Sequence, residues 1–312
     1  MFNFPFSIIK KGDMYSSFAL VNLGIFLLFK IKDSQKNGLG TICDEPVNVI
    51  VVLKVREEVY MINEKVALIL KDKINVIKSD ETSIYLVGPI KLPVNLEGET
   101  IIFQWYCWLR CENMAGHFCG DGTYNIEKII ETLASSNLAE MQQSSVLLYG
   151  DFQHSADALI RMHSICHTGD IFGSKRCDCG FQLKQAMKMI ATQGSGALFY
   201  LANHEGRGIG LFSKAMAYVL QENGLDTVEA NLELGFVDDA RNYDDAIRVL
   251  KNLRSNPVTL ITNNPRKLEA LQKSGANVAG RVPLWGDISE FNEKYLKTKV
   301  VRSGHLKDSK NE

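Results

Sequence analysis

From residue 145 onward the chain alternates short β-type apolar runs with stretches of helical length, and this alternation restricts it to a mixed α/β architecture. Strand-like runs fall at 145–150, 158–162, 197–201 and 258–262, with helical stretches at 182–193, 210–223, 243–254 and 265–274. Upstream, 100–103 reads as a strand and 125–142 as an amphipathic helix, with Ile126, Ile129, Ile130, Leu133 and Leu138 near helical spacing. Before residue 88 the pattern is different. Runs at 49–53, 60–62, 66–70 and 83–87 are apolar or β-branched and split by polar turns, which predicts a smaller β-rich domain over 1–87 without a catalytic motif. The expected organisation is therefore an accessory β-rich domain, 1–87, and an α/β catalytic domain, 88–312.

The 312 residues carry a net charge of −1, with 46% hydrophobic and 23% charged residues. That is the composition of a soluble globular protein and argues against broad nucleic-acid binding. The uncharged run 14–29 is shorter than the ~20 residues of a membrane-spanning helix, and Asn22 and Gly24 interrupt it. It reads as two strands joined by a turn, and neither a membrane span nor a signal peptide is expected. Seven cysteines lack the regular spacing of a secreted disulfide scaffold, which suits a reducing cytoplasm.

Three of those cysteines carry the strongest local signal. Arg161-Met162-His163-Ser164-Ile165-Cys166-His167-Thr168-Gly169-Asp170 is followed by Arg176-Cys177-Asp178-Cys179-Gly180, giving C-x10-C-x-C. Three thiolates fill three positions of a zinc tetrahedron and leave the fourth to water, the pattern of a catalytic site. A structural zinc closed by His163 or His167, or three buried cysteines without metal, are the plain alternatives. Two strand–helix turns could hold phosphate. His204-Glu205-Gly206-Arg207-Gly208-Ile209-Gly210 offers backbone amides and a planar guanidinium. At Thr262-Asn263-Asn264-Pro265-Arg266-Lys267, Asn264 is placed to cap a helix with Pro265 at its first position, and Thr262 and Lys267 face its mouth. Between them, Asp239 and Arg241 at i and i+2 project together from an extended segment, as a carboxylate–guanidinium pair or an ordinary surface ion pair.

Taken in order, H-S-x-C-x-T-G-D, R-C-D-C-G-x-Q-L, E-G-R-G-I-G-L, D-T-V-E-A-N and T-N-N-P-x-K resemble the GTP cyclohydrolase II family, over roughly 88–309. The resemblance implies one zinc ion per chain on Cys166, Cys177 and Cys179, and magnesium with the substrate phosphates. It places GTP contacts at Arg161, Met162, His163, Ser164, Ile165, Gln182, Glu205, Gly206, Arg207, Thr227, Thr262 and Lys267. It assigns Asp239 as proton acceptor and Arg241 as nucleophile on the α-phosphate, and sets Tyr218 at the reacting base. The implied reaction opens the imidazole ring of GTP and gives formate, pyrophosphate and a diaminopyrimidinone ribosyl phosphate, in a homodimer serving riboflavin synthesis. An arginine stays protonated in proteins, so an electrostatic role for Arg241 is the physically easier alternative.

The chain departs from the family pattern at three places. Ile165 stands where glutamate is usual, His167 replaces an aliphatic residue, and Asn203-His204 replaces Arg-Gln; the two imidazoles are candidate proton carriers. An insertion at about 104–142 brings Cys107, Cys111, His117 and Cys119, candidates for a second zinc site. No synthase partner of the bifunctional kind is recognisable in 1–87. The rival expectations are a paralogue acting on another nucleotide, in pyrimidine catabolism or specialised metabolism, and a catalytically silent nucleotide-binding relative.

Overall fold

The computed structural model describes residues 64–79, 82–112 and 124–306, together with the backbone of four earlier strands. The chain divides into two compact units, 1–61 and 62–312. In the first, β1 (Ile8–Lys10), β2 (Tyr15–Leu20), β3 (Ile25–Lys30) and β4 (Val52–Val55) form an antiparallel sheet in that order. The run 14–29 thus supplies two paired strands, with Leu20 opposite Ile25. No helix among the described residues is long and apolar enough to cross a membrane.

The second unit opens with α1 (Glu64–Lys71), β5 (Ile74–Ile77), β6 (Thr82–Leu96) and β7 (Glu99–Glu112). The run 66–70, expected as a strand, is helical. Five consecutive apolar residues do not distinguish the two periods. As a helix the run turns Ala67, and Leu70 one turn later, onto a small core with Ile74 and Ile126, while Leu68 and Ile69 face outward. The run 60–62 lies outside the described residues. Strand β6 runs past residue 87, with a break in its register against β7 between Val87 and Ile90, so the expected domain boundary falls inside a strand. It folds back onto β7 through Glu97 and Gly98, with φ of 56° and 98°, pairing Leu96 with Glu99. A two-residue hairpin loop with both residues left-handed matches the twist of the flanking strands, which is why glycine stands there.

Helix α2 (Ile126–Ser135), capped by Asn125, is shorter than the sequence pattern suggests; a 3-10 turn at Leu138–Glu140 replaces its last turns. The catalytic-type alternation follows as β8 (Ser144–Tyr149), β9 (Leu159–Ser164), α3 (Cys179–Gln193), β10 (Gly196–Leu201), α4 (Leu211–Glu222), α5 (Thr227–Glu233), α6 (Asp244–Leu253), β11 (Val258–Ile261), α7 (Pro265–Lys273), β12 (Val278–Val282) and α8 (Glu293–Val301). Eight strands form one mixed sheet in the order β12-β11-β9-β10-β8-β7-β6-β5. β12, β11, β9 and β10 run parallel, and the pairings from β10 to β5 are antiparallel.

Alternate residues of β10 enter opposite cores. Ala197, Phe199 and Leu201 pack with Ile247 and Leu250 of α6 and Leu271 of α7. Leu198 packs with Ala186, Met187 and Ile190 of α3. Helices cover both faces of the parallel half, which accounts for the nearly uninterrupted burial of β10. The adjacent strands β11, β9 and β10 therefore end on one side, and the loops leaving those ends carry the candidate site. In open α/β sheets this is where ligands bind.

Candidate active site

Cys166 lies just beyond the end of β9, where one turn of π-helix, His167–Ile171, reverses the chain. Cys177 and Cys179 sit at the head of α3. The three Sγ atoms lie within 4.8 Å of one another, and no other potential ligand among the described residues joins them. Gly169 is required at the centre: a Cβ there would stand 2.8 Å from Cys177 Sγ and 3.1 Å from Cys166 Sγ. Asp170 fastens the loop, accepting hydrogen bonds from Cys166 N at 2.9 Å and Tyr200 Oη at 3.0 Å. His163 Nε2 lies 3.1 Å from the same carboxylate, and the His167 ring packs edge-on against Phe172, so neither imidazole closes the sulfur set.

The electrostatics of the trio are those of a cation site. Hydrogen bonds from the Cys177 and Cys179 thiols, helped by Lys214, pull Cys166 far below the ordinary thiol range. The bond to Cys166 pushes Cys177 up to about 11, and the same neighbours push Cys179 well above its ordinary value. Sulfurs this close oppose one another's ionisation, and a divalent cation between them would let all three ionise. The donor set fits zinc.

The turn Ala202–Arg207 leaves the end of β10. Glu205 is buried and fully engaged: Oε1 accepts from Lys214 Nζ at 2.7 Å and Gly206 N at 3.1 Å, and Oε2 from His167 N at 2.7 Å. It braces the thiol loop against α4. Lys214 also reaches Cys166 Sγ at 3.2 Å. One helical turn on, Tyr218 Oη lies 3.4 Å from Thr168 Oγ1, with the Arg176 guanidinium 4.1 Å over its ring. Burial raises the Tyr218 phenol, which stays protonated at neutral pH. Arg207, at φ 67°, takes a left-handed backbone and is held by Asp238 and Ser303.

Arg241 grips Asp239 with two hydrogen bonds, Nε to Oδ1 at 2.7 Å and Nη2 to Oδ2 at 2.6 Å. Burial would raise Asp239, but the bonds and charge of Arg241 outweigh it and hold the carboxyl at about 2. Arg241 Nη1 reaches Ser164 Oγ at 3.4 Å, and Ser164 lies 3.1 Å from His204 Nδ1. His204 Nε2 faces the Asn242 carbonyl at 2.7 Å, so it carries the proton; Nδ1 accepts from Ser164, whose oxygen accepts from Arg241. Burial takes His204 down to about 4, so it is a neutral strut and not the proton carrier expected.

That assignment has a measurable consequence. The unfolded chain takes up the His204 proton near 6.5 while the native one refuses it until about 4. Stability is therefore complete above that window and falls as pH drops through it. Thermal melts between pH 7 and 4 should show this fall, and His204→Gln should flatten it. His305, lowered by burial to about 3, leaves a residual slope of the same sign.

Two clefts flank these groups. The first is lined by the three cysteines, Ser164, Ile165, Glu205, Gly206, Arg207, Tyr218 and Thr227 among others. The second is cationic and is lined by Arg161, His163, Gln182, Thr262 and Lys267. Ser164, Cys179, Arg241 and Tyr295 belong to both. Burial and the nearby Arg241 and Arg161 push the Lys267 ammonium well below its ordinary range. Asn264 caps α7 ahead of Pro265, accepting from Arg266 N. Arg161 Nε and His163 Nδ1 are buried with no partner within the protein. Met162 is the exception among the expected contacts: its side chain is wholly inside the core, and its carbonyl accepts from Lys267 Nζ at 2.7 Å. Cys107 and Cys111 lie on β7 four residues apart, roughly 13 Å along a strand and too far to share an ion. His117 and Cys119 are outside the described residues.

Sequence reasoning assigns no individual role to Lys214, Asp178, Tyr295 and Lys299, although Asp178 reads there as a carboxylate beside the thiols. Lys214 stands four residues before Tyr218, a spacing that sets both on one helix face. The other three meet only in the folded chain.

Residues 130–283 match the family described as GTP cyclohydrolase II, and this region of the chain belongs to that family. Relatives include the riboflavin biosynthesis protein RibBA of Salinispora tropica, 51% identical over 160 residues, which are 51% of this chain and 40% of that protein. RibBA of Bacillus subtilis is 47% identical over 172 residues, 55% of this chain and 43% of its own. GTP cyclohydrolase-2 of Archaeoglobus fulgidus is 51% identical over 150 residues, 48% and 39% of the two chains. The matches thus span about two fifths of the length of these relatives.

Proposed function

We propose that the chain opens the imidazole ring of GTP by hydrolysis, releasing formate and pyrophosphate and leaving a diaminopyrimidinone ribosyl phosphate for riboflavin synthesis. One observation carries this reading: the sulfur trio and Arg241, itself gripped by Asp239, border a single cleft, and Cys179 and Arg241 also line the neighbouring cationic one. Cys166, Cys177 and Cys179 would hold the zinc, which supplies Lewis acidity and an activated water at neutral pH when bound.

The protein's own groups do the rest. Arg161, Lys267 and Arg241 offer positive charge to a triphosphate, accompanied by magnesium, and the triphosphate's own charge favours the protonated form of Lys267. An aspartate held at about 2 is a weak proton acceptor near neutrality. Arg241, raised above its ordinary value by its buried neighbours, is a weak nucleophile. The pair therefore acts as a fixed electrostatic clamp on phosphate charge that develops in the transition state. Tyr218, held protonated, donates to a ring nitrogen of the base. A reducing cytoplasm keeps the thiols available, and a homodimer, with the N-terminal unit 1–61 as accessory, completes the proposal.

The test is incubation of the full chain with GTP, zinc and magnesium, measuring formate, pyrophosphate and the pyrimidine. Formate with equimolar pyrophosphate is expected. Formate without pyrophosphate, or turnover only of another nucleotide, would replace this reading with that of a paralogue. Binding without turnover would leave a silent relative.

A further inference from the structure

Helix α8 follows the residues matched by the family, yet it reaches the thiol cluster. Lys299 Nζ donates to Asp178 Oδ1 at 2.6 Å, with side-chain exposures of 11% and 0%. Asp178 stands between Cys177 and Cys179 and begins α3, its carbonyl accepting the helix's Gln182 N at 3.0 Å. Its second carboxylate oxygen accepts from Gln182 Nε2 at 2.6 Å. Gln182 Oε1 in turn accepts from Arg161 Nη2, and Arg161 Nη1 donates to the Ile261 carbonyl at 3.2 Å. The backbone at Gly286 closes over Asp178 so tightly that a Cβ there would come within 2.4 Å of the aspartate Cβ. Lys299 itself lies 4.5 Å over the ring of Tyr295, which borders both clefts.

A carboxylate with no exposed surface keeps one orientation when each oxygen meets a fixed donor, and Lys299 is the only cation in contact with this one among the described residues. We propose that Lys299 is a positioning residue for the metal ligands. It acts through Asp178 to hold the Cys177–Cys179 turn, and through Gln182 to hold Arg161 in the neighbouring cleft. The inference rests on the metal reading above but not on turnover of GTP.

The test uses cobalt in place of zinc, because the thiolate–cobalt absorption band reports the ligand arrangement directly. Wild type, Lys299→Arg, Lys299→Gln, Asp178→Asn and the Lys299→Gln/Asp178→Asn double variant are compared by band shape and by chelator competition, with circular dichroism as the check on folding. Lys299→Gln should weaken cobalt binding about 10- to 100-fold, the usual effect of losing a group that orients metal ligands, and should alter the band. Lys299→Arg should stay within a few-fold of wild type. The double variant should bind no more weakly than Asp178→Asn alone, because the lysine acts only through that carboxylate. If Lys299→Gln does not fold, this last comparison decides: equal affinity supports the route through Asp178, and a further loss overturns it. An unchanged band and affinity in folded Lys299→Gln also overturns the inference, as do single losses that multiply in the double variant. Wild type that takes up no cobalt would instead overturn the metal assignment, and with it this inference, before any variant is measured.

Discussion

Cys177→Ser is expected to lower formate release from GTP by about three orders of magnitude or more while leaving the protein folded. The sulfur is buried 3.6 Å from Cys166 Sγ, and serine occupies nearly the same volume, so packing is preserved. What is lost is an ionisable, polarisable ligand, since a hydroxyl does not deprotonate for a metal as a thiol does. A catalytic metal supplies several kcal/mol to its transition state, and each ~1.4 kcal/mol is tenfold in rate. Metal content measured beside formate makes the cause visible: both should fall together. Cys107→Ser, on β7 and outside both clefts, should change neither. Unimpaired formate release from Cys177→Ser would remove the metal from the mechanism.

Arg241→Lys is expected to cost about 10²- to 10³-fold in kcat/KM, the scale set by losing one preorganised donor to developing charge. The substitution keeps the charge, so any long-range attraction for a triphosphate survives. It removes the planar fork that engages Asp239 through two nitrogens and reaches Ser164 through a third. Steady-state kinetics should therefore show a larger fall in kcat than rise in KM. Near-wild-type kcat in the lysine variant would mean that charge alone suffices and that the bidentate geometry is incidental.

How far the chain could be read without coordinates varies with the range of the interactions involved. Cys166, Cys177 and Cys179 lie within one loop and one helix start, so their spacing already carries their convergence. The same holds for the Asn264–Pro265 start of α7, where cap and first-turn residue are adjacent. The run 66–70 hides its period in five consecutive apolar residues, and only packing against Ile74 and Ile126 chooses the helix. From sequence His204 reads as a titrating group, whereas its environment is fixed by Ser164 and Asn242, 40 and 38 residues away. Lys299 and Asp178 are 121 residues apart, beyond what any local pattern expresses. Met162 fails as a side-chain contact for a related reason: strand alternation points it inward, and only its carbonyl faces Lys267.

The change of strand direction across the large sheet also divides the molecule by what a substitution there can affect. Among the described residues, no side chain of the antiparallel strands β5–β8 borders either cleft, while β9 and the loops and helices that follow β9, β10 and β11 supply most of both. A substitution in the antiparallel half, where no side chain lines a cleft, acts chiefly on how many molecules are folded, so it is felt as abundance. A substitution beyond the parallel ends is felt as rate in each molecule. Drift and specialisation can thus proceed on opposite sides of β10 with little mutual interference.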